Sequence, residues 1–310
     1  MTEPSALPAT GWPAPIEGRD TGGMSAQNHA APPAALTIAG SDSGGAAGLQ
    51  ADLKTFLTCG VHGLVAVTAV TVQNTLGVHD RTDIPARIVA GQIEAVAADM
   101  GLQAAKTGML ASAEIIRAVA RACDTAGIGA GTDVPFVVDP VAASMHGHPL
   151  FDDAGLAALR EELLPRATVT TPNLDEVRLL TGIEVTDRAR MRDAAVALYE
   201  LGPQHVLVKS GHLVEDPECV DLLYDGETFL ELPGPRLPTP HTHGAGDAMA
   251  SALTAGLARG MPVPEAARFG KWFVSNAVRH SYPMGAKVGP VSAFWRLAPE
   301  PRQASREVPG

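Results

Sequence analysis

Strands and helices alternate along almost all of this 310-residue chain, which predicts an α/β fold with a mainly parallel central sheet flanked by helices on both faces. Two further observations sharpen that expectation. Hydrophobic residues make up 45% of the sequence and aromatics only 4%, with 32 glycines, a composition suited to helices packed closely on a sheet. The alternation also breaks once, at residues 220–232, where two short β-prone runs flank Asp225-Gly226, a favoured two-residue hairpin turn. That break predicts an antiparallel hairpin at the sheet edge.

Taken in order, residues 1–33 are rich in Pro, Ala, Gly and Thr without apolar periodicity, and are expected to be a disordered leader. Leu36 to Gly40 is a short apolar run ended by glycine, hence a buried first strand, followed by the polar loop Ser41 to Gly45. Leu49, Leu53, Phe56 and Leu57 recur at helical spacing up to Gly60. Leu64 to Val70 reads as a second buried strand, with a polar turn at Gln73-Asn74. Residues 84–100 are helical, with Pro85 in the tolerated first turn. Strand candidates then follow at 104–107, 136–138, 168–170 and 205–208. Helices are expected between them at 113–123, 154–164, just beyond Asn173, and 188–201. After the edge hairpin come a glycine loop opening into a helix at 244–253, a helix at 263–280, and a Pro-rich end without a clear element. No repeat or linker divides the chain, so residues 34–296 read as a single domain and 297–310 as a flexible tail.

The net charge of −11, with no Lys/Arg cluster, argues against a nucleic-acid-binding surface. Cys59, Cys123 and Cys219 are far apart and never in a CxxC pair, as expected of reduced cytosolic thiols. The sequence has neither an apolar run of the roughly 20 residues needed to cross a bilayer nor a secretory signal. A cytoplasmic protein acting on a small molecule, with no nucleic acid or membrane partner, is the expectation; a homodimer is expected as well.

The most informative stretch is His241 to Leu253. Pro238 and Pro240 precede it, Gly244 and Gly246 lie inside it, and small helix formers follow, so a glycine loop opens directly into a helix with Asp247 at the join. Amides at a helix start lack intrahelical partners and carry partial positive charge, so they attract phosphate. A carboxylate among them is suited to taking a proton from a hydroxyl that attacks phosphorus. The plainer alternative is a helix-terminal acid that stabilises the dipole. In a parallel sheet, ligands bind beyond the carboxyl ends of the strands. Six strands end in polar or glycine groups: Gly40 to Gly45, Gln73-Asn74, Gly108-Met109, Asp139-Pro140, Pro172-Asn173 and Lys209 to Gly211. Each alone is an ordinary turn; together with the phosphate-type helix start they point to one ligand site. Asp52, at the margin of the buried face of its helix, requires a polar partner, which a ligand hydroxyl or ring nitrogen could supply; an early-helix acid favoured by the dipole is the alternative.

Three other motifs fail. Asp42-Ser43-Gly44-Gly45 resembles the tetrapeptide around a trypsin-like nucleophile, but it ends the first strand of an α/β pattern and has no plausible partner histidine. There is no GxxxxGK[ST]. His241 and His243 form an HxH pair without a further ligand cluster.

The run Leu36 to Phe56 (LTIAGSDSGGAAGLQADLKTF) is close, over its whole length, to the N-terminal signature of the hydroxymethylpyrimidine and phosphomethylpyrimidine kinases of thiamine biosynthesis, within the ribokinase-like superfamily. Further matches follow in family order: Val72 to Thr75, Lys106 to Leu110, Val138 to Val141, Thr171 to Glu176, Val208 to Leu213 and Thr242 to Gly246. The resemblance covers roughly residues 35–292. It implies a ribokinase-like fold and phosphorylation of 4-amino-5-hydroxymethyl-2-methylpyrimidine, and of its monophosphate, with ATP and Mg2+. By this resemblance Ala47, Asp52, Gln73 and Met109 would surround the pyrimidine. Asn173 and Lys209 would face ATP, and Asp139 and Glu176 its magnesium. The amides of Gly244, Ala245, Gly246 and Asp247 would form the anion hole, with Asp247 as base.

Two departures bear on specificity. The family commonly has Cys where this chain has Asp247, whereas ribokinase-like sugar kinases and many pyridoxal kinases have Asp. An alcohol acceptor benefits from a base. A phosphate monoester, with a second pKa of about 6, is already ionised and is repelled by a carboxylate. Asp247 therefore suits the first phosphorylation and favours, as the rival reading, a pyridoxal or pyridoxine kinase. A catalytically silent nucleotide- or pyrimidine-binding protein is a rival of another class, against which the complete Gly244 to Asp247 loop argues. The second departure is residues 143–147, Ala-Ser-Met-His-Gly, where relatives often place a lysine.

Overall fold

The computed structural model describes residues 31–142, 152–213 and 216–297. Most of the expected leader, the tail beyond Leu297 and the lysine-lacking segment 143–147 lie outside the described residues. One nine-stranded sheet runs through the rest, in the order β3-β2-β1-β4-β5-β6-β7-β8-β9. Its elements are β1 (Ala34–Ser41), α1 (Gly48–Thr58), β2 (His62–Asn74), β3 (Gly77–Asp83), α2 (Ala86–Asp99), β4 (Ala104–Thr107), α3 (Ala113–Ala126), β5 (Phe136–Val138), α4 (Asp153–Ala158), β6 (Val169–Thr170), α5 (Leu174–Thr181), α6 (Arg188–Tyr199), β7 (Val206–Val208), β8 (Asp221–Tyr224), β9 (Phe229–Leu232), α7 (Ala245–Ala258) and α8 (Val263–Arg279).

Six strands, β2, β1, β4, β5, β6 and β7, pair in parallel. Their carboxyl ends therefore share one edge, as the polar strand ends require. Each parallel step needs a crossover, and the local sequence supplies the stops and starts. Ser112, Asp152 and Asp187 accept amide hydrogen bonds at the starts of α3, α4 and α6, and left-handed Gly127 and Gly182 end α3 and α5. One buried cluster, fed by α2 to α6, packs on one face of the sheet; a second, fed by α1, α7 and α8, packs on the other. In α7 every residue from Ala248 to Ala258 is buried, the pattern of a helix wrapped on all sides. Small residues make that possible: a Cβ on Gly256 would lie 3.1 Å from Ala266, and one on Gly270 would lie 3.1 Å from the Met249 carbonyl oxygen.

Three expectations need correction. The Gln73-Asn74 turn is the end of a longer β2, which folds back antiparallel on β3, so both edges of the sheet are antiparallel. The β3 sequence GVHDRTD is exposed or half-buried throughout and lacks an apolar face, so it gives no alternation signal. The hairpin turn spans four residues, Asp225 to Thr228, between β8 and β9, not two. The Asp225 carboxylate accepts from the amides of Glu227 and Thr228 and from the Thr228 hydroxyl, an arrangement that stabilises the longer turn. Last, the helix expected over 154–164 is regular only in α4. It continues as a π turn (Leu159–Leu163) and a 3-10 turn (Leu164–Arg166), because Pro165 has no amide to donate and its ring obstructs the preceding turn. Among the described residues no helix is long and apolar enough to cross a membrane.

Candidate active site at the carboxyl edge of the sheet

The loop after β1 is built around one carboxylate. Asp42, almost fully buried, accepts from Gly44 N (2.7 Å) through Oδ1 and from Ala46 N and Ala47 N (both 2.9 Å) through Oδ2. This three-amide cage curls residues 42–47 into a cup that leads into α1. The sequence places Asp42 in the polar strand-end loop Gly40 to Gly45 and in a failed protease motif without giving it a role of its own; the signal for one is an acid followed by a glycine-rich run, the composition of a side-chain-stapled turn. Across the cup, Ser43 Oγ donates to the Gln73 carbonyl and accepts from the Gln73 amide, both at 2.8 Å, joining the loop to the end of β2.

The second wall is the start of α7. Gly244 has φ of +79°, and a Cβ there would lie 1.9 Å from the Ala46 carbonyl oxygen. Only glycine allows both this turn and this approach, so the anion loop and the Asp42 cup are pressed together. Asp247, in the first turn of α7, accepts a hydrogen bond from Gly48 N (3.2 Å) at the start of α1. Two helix N-termini thus converge on one half-buried carboxylate. Burial pushes its carboxyl up to about 7; Asp52 and Asp139 add to the shift, while Lys106 and Lys209 oppose it.

A charged third wall comes from β5, β7 and α5. Asp139 Oδ1 accepts from Lys209 Nζ and from Thr171 Oγ1, each at 2.8 Å. A Cβ on Gly246 would come within 3.3 Å of Lys209 Nζ, so this ammonium lies against the anion loop. Burial alone would depress the Lys209 ammonium, but Asp139, Glu176 and Asp247 hold it above the usual lysine range. Asn173 and Glu176 form a reciprocal capping box on α5: Asn173 Oδ1 accepts from Glu176 N (2.9 Å) and Glu176 Oε2 from Asn173 N (2.8 Å). Glu176 is buried, which pushes its carboxyl up to about 8; Asp139 adds to the rise, and Lys209 and the amides of Asn173 and Ala142 oppose it.

The remaining sequence-selected residues divide into two groups. Ala47 lies in the Asp42 cup. Met109 packs against the end of β1, where a Cβ on Gly40 would fall 2.4 Å from its Cε. Gln73 stands at the rim, stapled through its backbone to Ser43. Asp52 is set apart from these. It is fully buried, and protein groups already satisfy it: Lys106 Nζ at 2.7 Å, Ser251 Oγ at 2.6 Å and Thr37 Oγ1 at 2.5 Å. The polar partner that its sequence position demands is thus supplied by the chain itself. Lys106 escaped the sequence reading because its partner is 54 residues away and a lysine inside a four-residue strand carries no local signal. His241 and His243 do not converge: His241 Nδ1 accepts from Gly289 N (3.0 Å), and His243 Nε2 lies 3.9 Å from Asp42 Oδ2.

A model of the phosphomethylpyrimidine kinase family matches residues 42–292, which includes every wall of this site. The chain belongs to that family. It is 55% identical over 267 residues to the hydroxymethylpyrimidine/phosphomethylpyrimidine kinase of Mycobacterium tuberculosis, covering 86% of this chain and 96% of the relative. To the Bacillus subtilis protein of the same name it is 44% identical over 260 residues, covering 84% and 94%. Among solved structures it resembles the pyridoxal kinase of Staphylococcus aureus in complex with AMP-PCP and pyridoxal, with a TM-score of 0.77 at 36% identity over 85% of this chain and 94% of that one. The phosphomethylpyrimidine kinase of Clostridium difficile aligns with a TM-score of 0.69 at 37% identity over 79% and 99%. As a member of this family the chain is a ribokinase-like kinase, and the α/β fold read from the sequence holds.

Whether the site suits Mg2+ can be judged from its donors. Among the described residues no group of three or more His, Cys, Asp or Glu could hold a metal ion. Mg2+ in kinases commonly takes one or two carboxylates, with water and substrate phosphates completing its shell. Asp139 and Glu176 are both buried, and Asp139 adds to the cost of ionising Glu176, a repulsion that a bound cation would relieve. The donor set fits.

Proposed function

We propose that the chain transfers the γ-phosphoryl group of ATP to the hydroxymethyl oxygen of 4-amino-5-hydroxymethyl-2-methylpyrimidine, and then phosphorylates the monophosphate. The observation that carries the first step is Asp247. It sits in the first turn of α7, its carboxyl is pushed up to about 7, and the Gly48 amide holds it in place. A carboxyl in that range is matched to taking an alcohol proton near neutral pH. The acceptor oxygen forms its bond to phosphorus as Asp247 takes the proton, and the bond to the β-phosphate oxygen breaks. The amides of Gly244, Gly246 and Asp247 would face the charge on the transferring group, with Lys209 beside them to balance it; the Ala245 amide, expected to join them, donates instead to the Thr242 carbonyl (3.1 Å). Ala47, Gln73 and Met109 take the pyrimidine ring; Asn173 and Lys209 take the nucleotide. Asp139 and Glu176 would hold Mg2+, which when bound neutralises charge on the phosphates. Asp52 acts below the site and not on the ring. We also take residues 34–296 as one catalytic domain, of a cytoplasmic homodimer.

The rival acceptor is pyridoxal, favoured by the match to the Staphylococcus aureus enzyme and by Asp247. Measuring ADP release with each alcohol at matched concentrations decides between them. Higher kcat/KM with the pyrimidine is expected; faster turnover of pyridoxal would overturn the reading. Offering the pyrimidine monophosphate as the only acceptor tests the second step, which lacks the need for a base.

A further inference from the structure

Below the anion loop, α1 and α7 are tied at two levels one helical turn apart. At the upper level Gly48 N donates to Asp247 Oδ1 (3.2 Å); at the lower, Ser251 Oγ donates to Asp52 Oδ1 (2.6 Å). The step is four residues on each helix, so both ties lie on facing sides. The lower tie is anchored by charge. Lys106 Nζ, from β4, lies 2.7 Å from Asp52 Oδ1, and both side chains have zero exposure. Thr37 Oγ1, from β1, donates to Asp52 Oδ2. Four elements thus meet at one carboxylate that no substrate can reach. A buried ion pair contributes little more to stability than a well-packed apolar pair of the same volume, and the best-attested use of such pairs is to fix a register.

We propose that the Lys106–Asp52 pair positions the catalytic base. Through Ser251 it sets the depth and rotation of α7 against α1, so that Asp247 meets the Gly48 amide with its carboxylate turned to the acceptor hydroxyl. Its two opposite charges also lie directly under that carboxylate and compensate each other. The groups acting on Asp247 are Lys106 from β4, Asp52 from α1, Asp139 beyond β5 and Lys209 beyond β7. Removing either half of the pair therefore moves the Asp247 proton affinity in a defined direction, whereas removing both restores the balance of charge but not the tie. This inference rests on Asp247 being the base.

The test uses the full chain with Lys106→Met, Asp52→Asn, the double variant Lys106→Met/Asp52→Leu, which leaves no oxygen for Ser251 to donate to, Ser251→Ala and Asp247→Asn. For each, kcat and KM for ATP and for the pyrimidine alcohol are measured across pH 5.5–9, with thermal melts as the folding control. Lys106→Met is expected to move the acid limb of kcat up by about one pH unit and Asp52→Asn to move it down by about one. The double variant and Ser251→Ala should keep the wild-type limb with kcat reduced roughly tenfold and both KM values within about threefold, because the tie acts on the base and not on substrate. If Lys106→Met does not fold, the double variant, free of a buried unpaired charge, and Ser251→Ala carry the test. Unchanged limbs in the single variants, or full kcat in the double variant or in Ser251→Ala, would overturn the inference. Asp247→Asn separates the two readings: if it retains the wild-type rate, the base assignment fails, and if it alone loses activity while the pair variants behave as wild type, the positioning role fails.

Discussion

Replacing Gly244 with alanine should cost the enzyme most of its turnover while leaving the fold largely intact. At φ of +79° an L-residue is held in the left-handed region, which costs about 1–2 kcal/mol. The larger effect is steric. The new Cβ would start 1.9 Å from the Ala46 carbonyl oxygen, where ordinary contact begins at 3.4 Å, so one of the two loops must retreat by roughly 1.5 Å. Ala46 is pinned by the Asp42 carboxylate, and the body of α7 is buried on all sides. The displacement therefore falls on the amides at the helix start. A shift near 1 Å at a catalytic group costs about 100-fold, and losing one anion-hole donor costs about 100- to 1,000-fold in kcat. We expect kcat lower by 100-fold or more in an ADP-release assay with the pyrimidine alcohol, a native-like circular dichroism spectrum and a modest fall in Tm. Gly91→Ala on α2, where a Cβ meets nothing within 4 Å, is the control and should be silent. Turnover within tenfold of wild type in Gly244→Ala would refute the claim that the two loops form one rigid wall.

Two further predictions concern the carboxylates. Asp42→Ala removes the acceptor for three amides; with hydrogen bonds to a charged group at about 1.5–3 kcal/mol, KM for the pyrimidine should rise roughly 10- to 100-fold in an acceptor titration, while Asp42→Asn, which keeps one acceptor oxygen, falls in between. The Asp247 carboxyl, raised from 3.8 to about 7, makes activity and stability move in opposite directions. The folded protein keeps a proton there that the unfolded chain releases, so its stabilising contribution is full below about pH 4 and is lost as pH rises through about 7. The rate rises over the same upper interval as the base ionises. Asp247→Asn should therefore lose activity by about 100-fold or more and yet gain Tm relative to wild type at pH 8 and not at pH 4; equal Tm differences at the two pH values would contradict the assignment.

Much of this architecture was legible because a parallel sheet puts chemistry where strands end, and strand ends are visible in a sequence. Asp139, Asn173 and Lys209 each follow a short apolar run, and once those runs are taken as parallel their neighbours follow from topology. Gly244 and Asp247 were legible for a different reason: two prolines and two glycines before an Ala-rich run leave few alternatives to a loop entering a helix. What stayed hidden depended on contacts across long separations or on segments without an apolar pattern. Nothing around Lys106 announces a buried ammonium, since its justification is Asp52 on another element. Asp52 resembles a ligand contact in the sequence, which shows a demand for a partner without showing that Lys106, Ser251 and Thr37 meet it. β3 escaped notice because an edge strand exposed on both faces has no reason to alternate.

The burial of α7 from Ala248 to Ala258 has a consequence for how this enzyme can vary. At 1.5 Å per residue this buried stretch spans about 16 Å, and a rod enclosed along that length transmits an axial push with little loss. Crowding at its far end, near Ala258, would then be felt at the amides of Gly244 to Asp247 before it is felt as unfolding. The reactive end tolerates little drift in a part of the molecule that touches no substrate. Adaptation to a new acceptor is therefore left to the opposite bank, where the Ser43 and Gln73 rim is held by hydrogen bonds and can be re-cut without moving the rod.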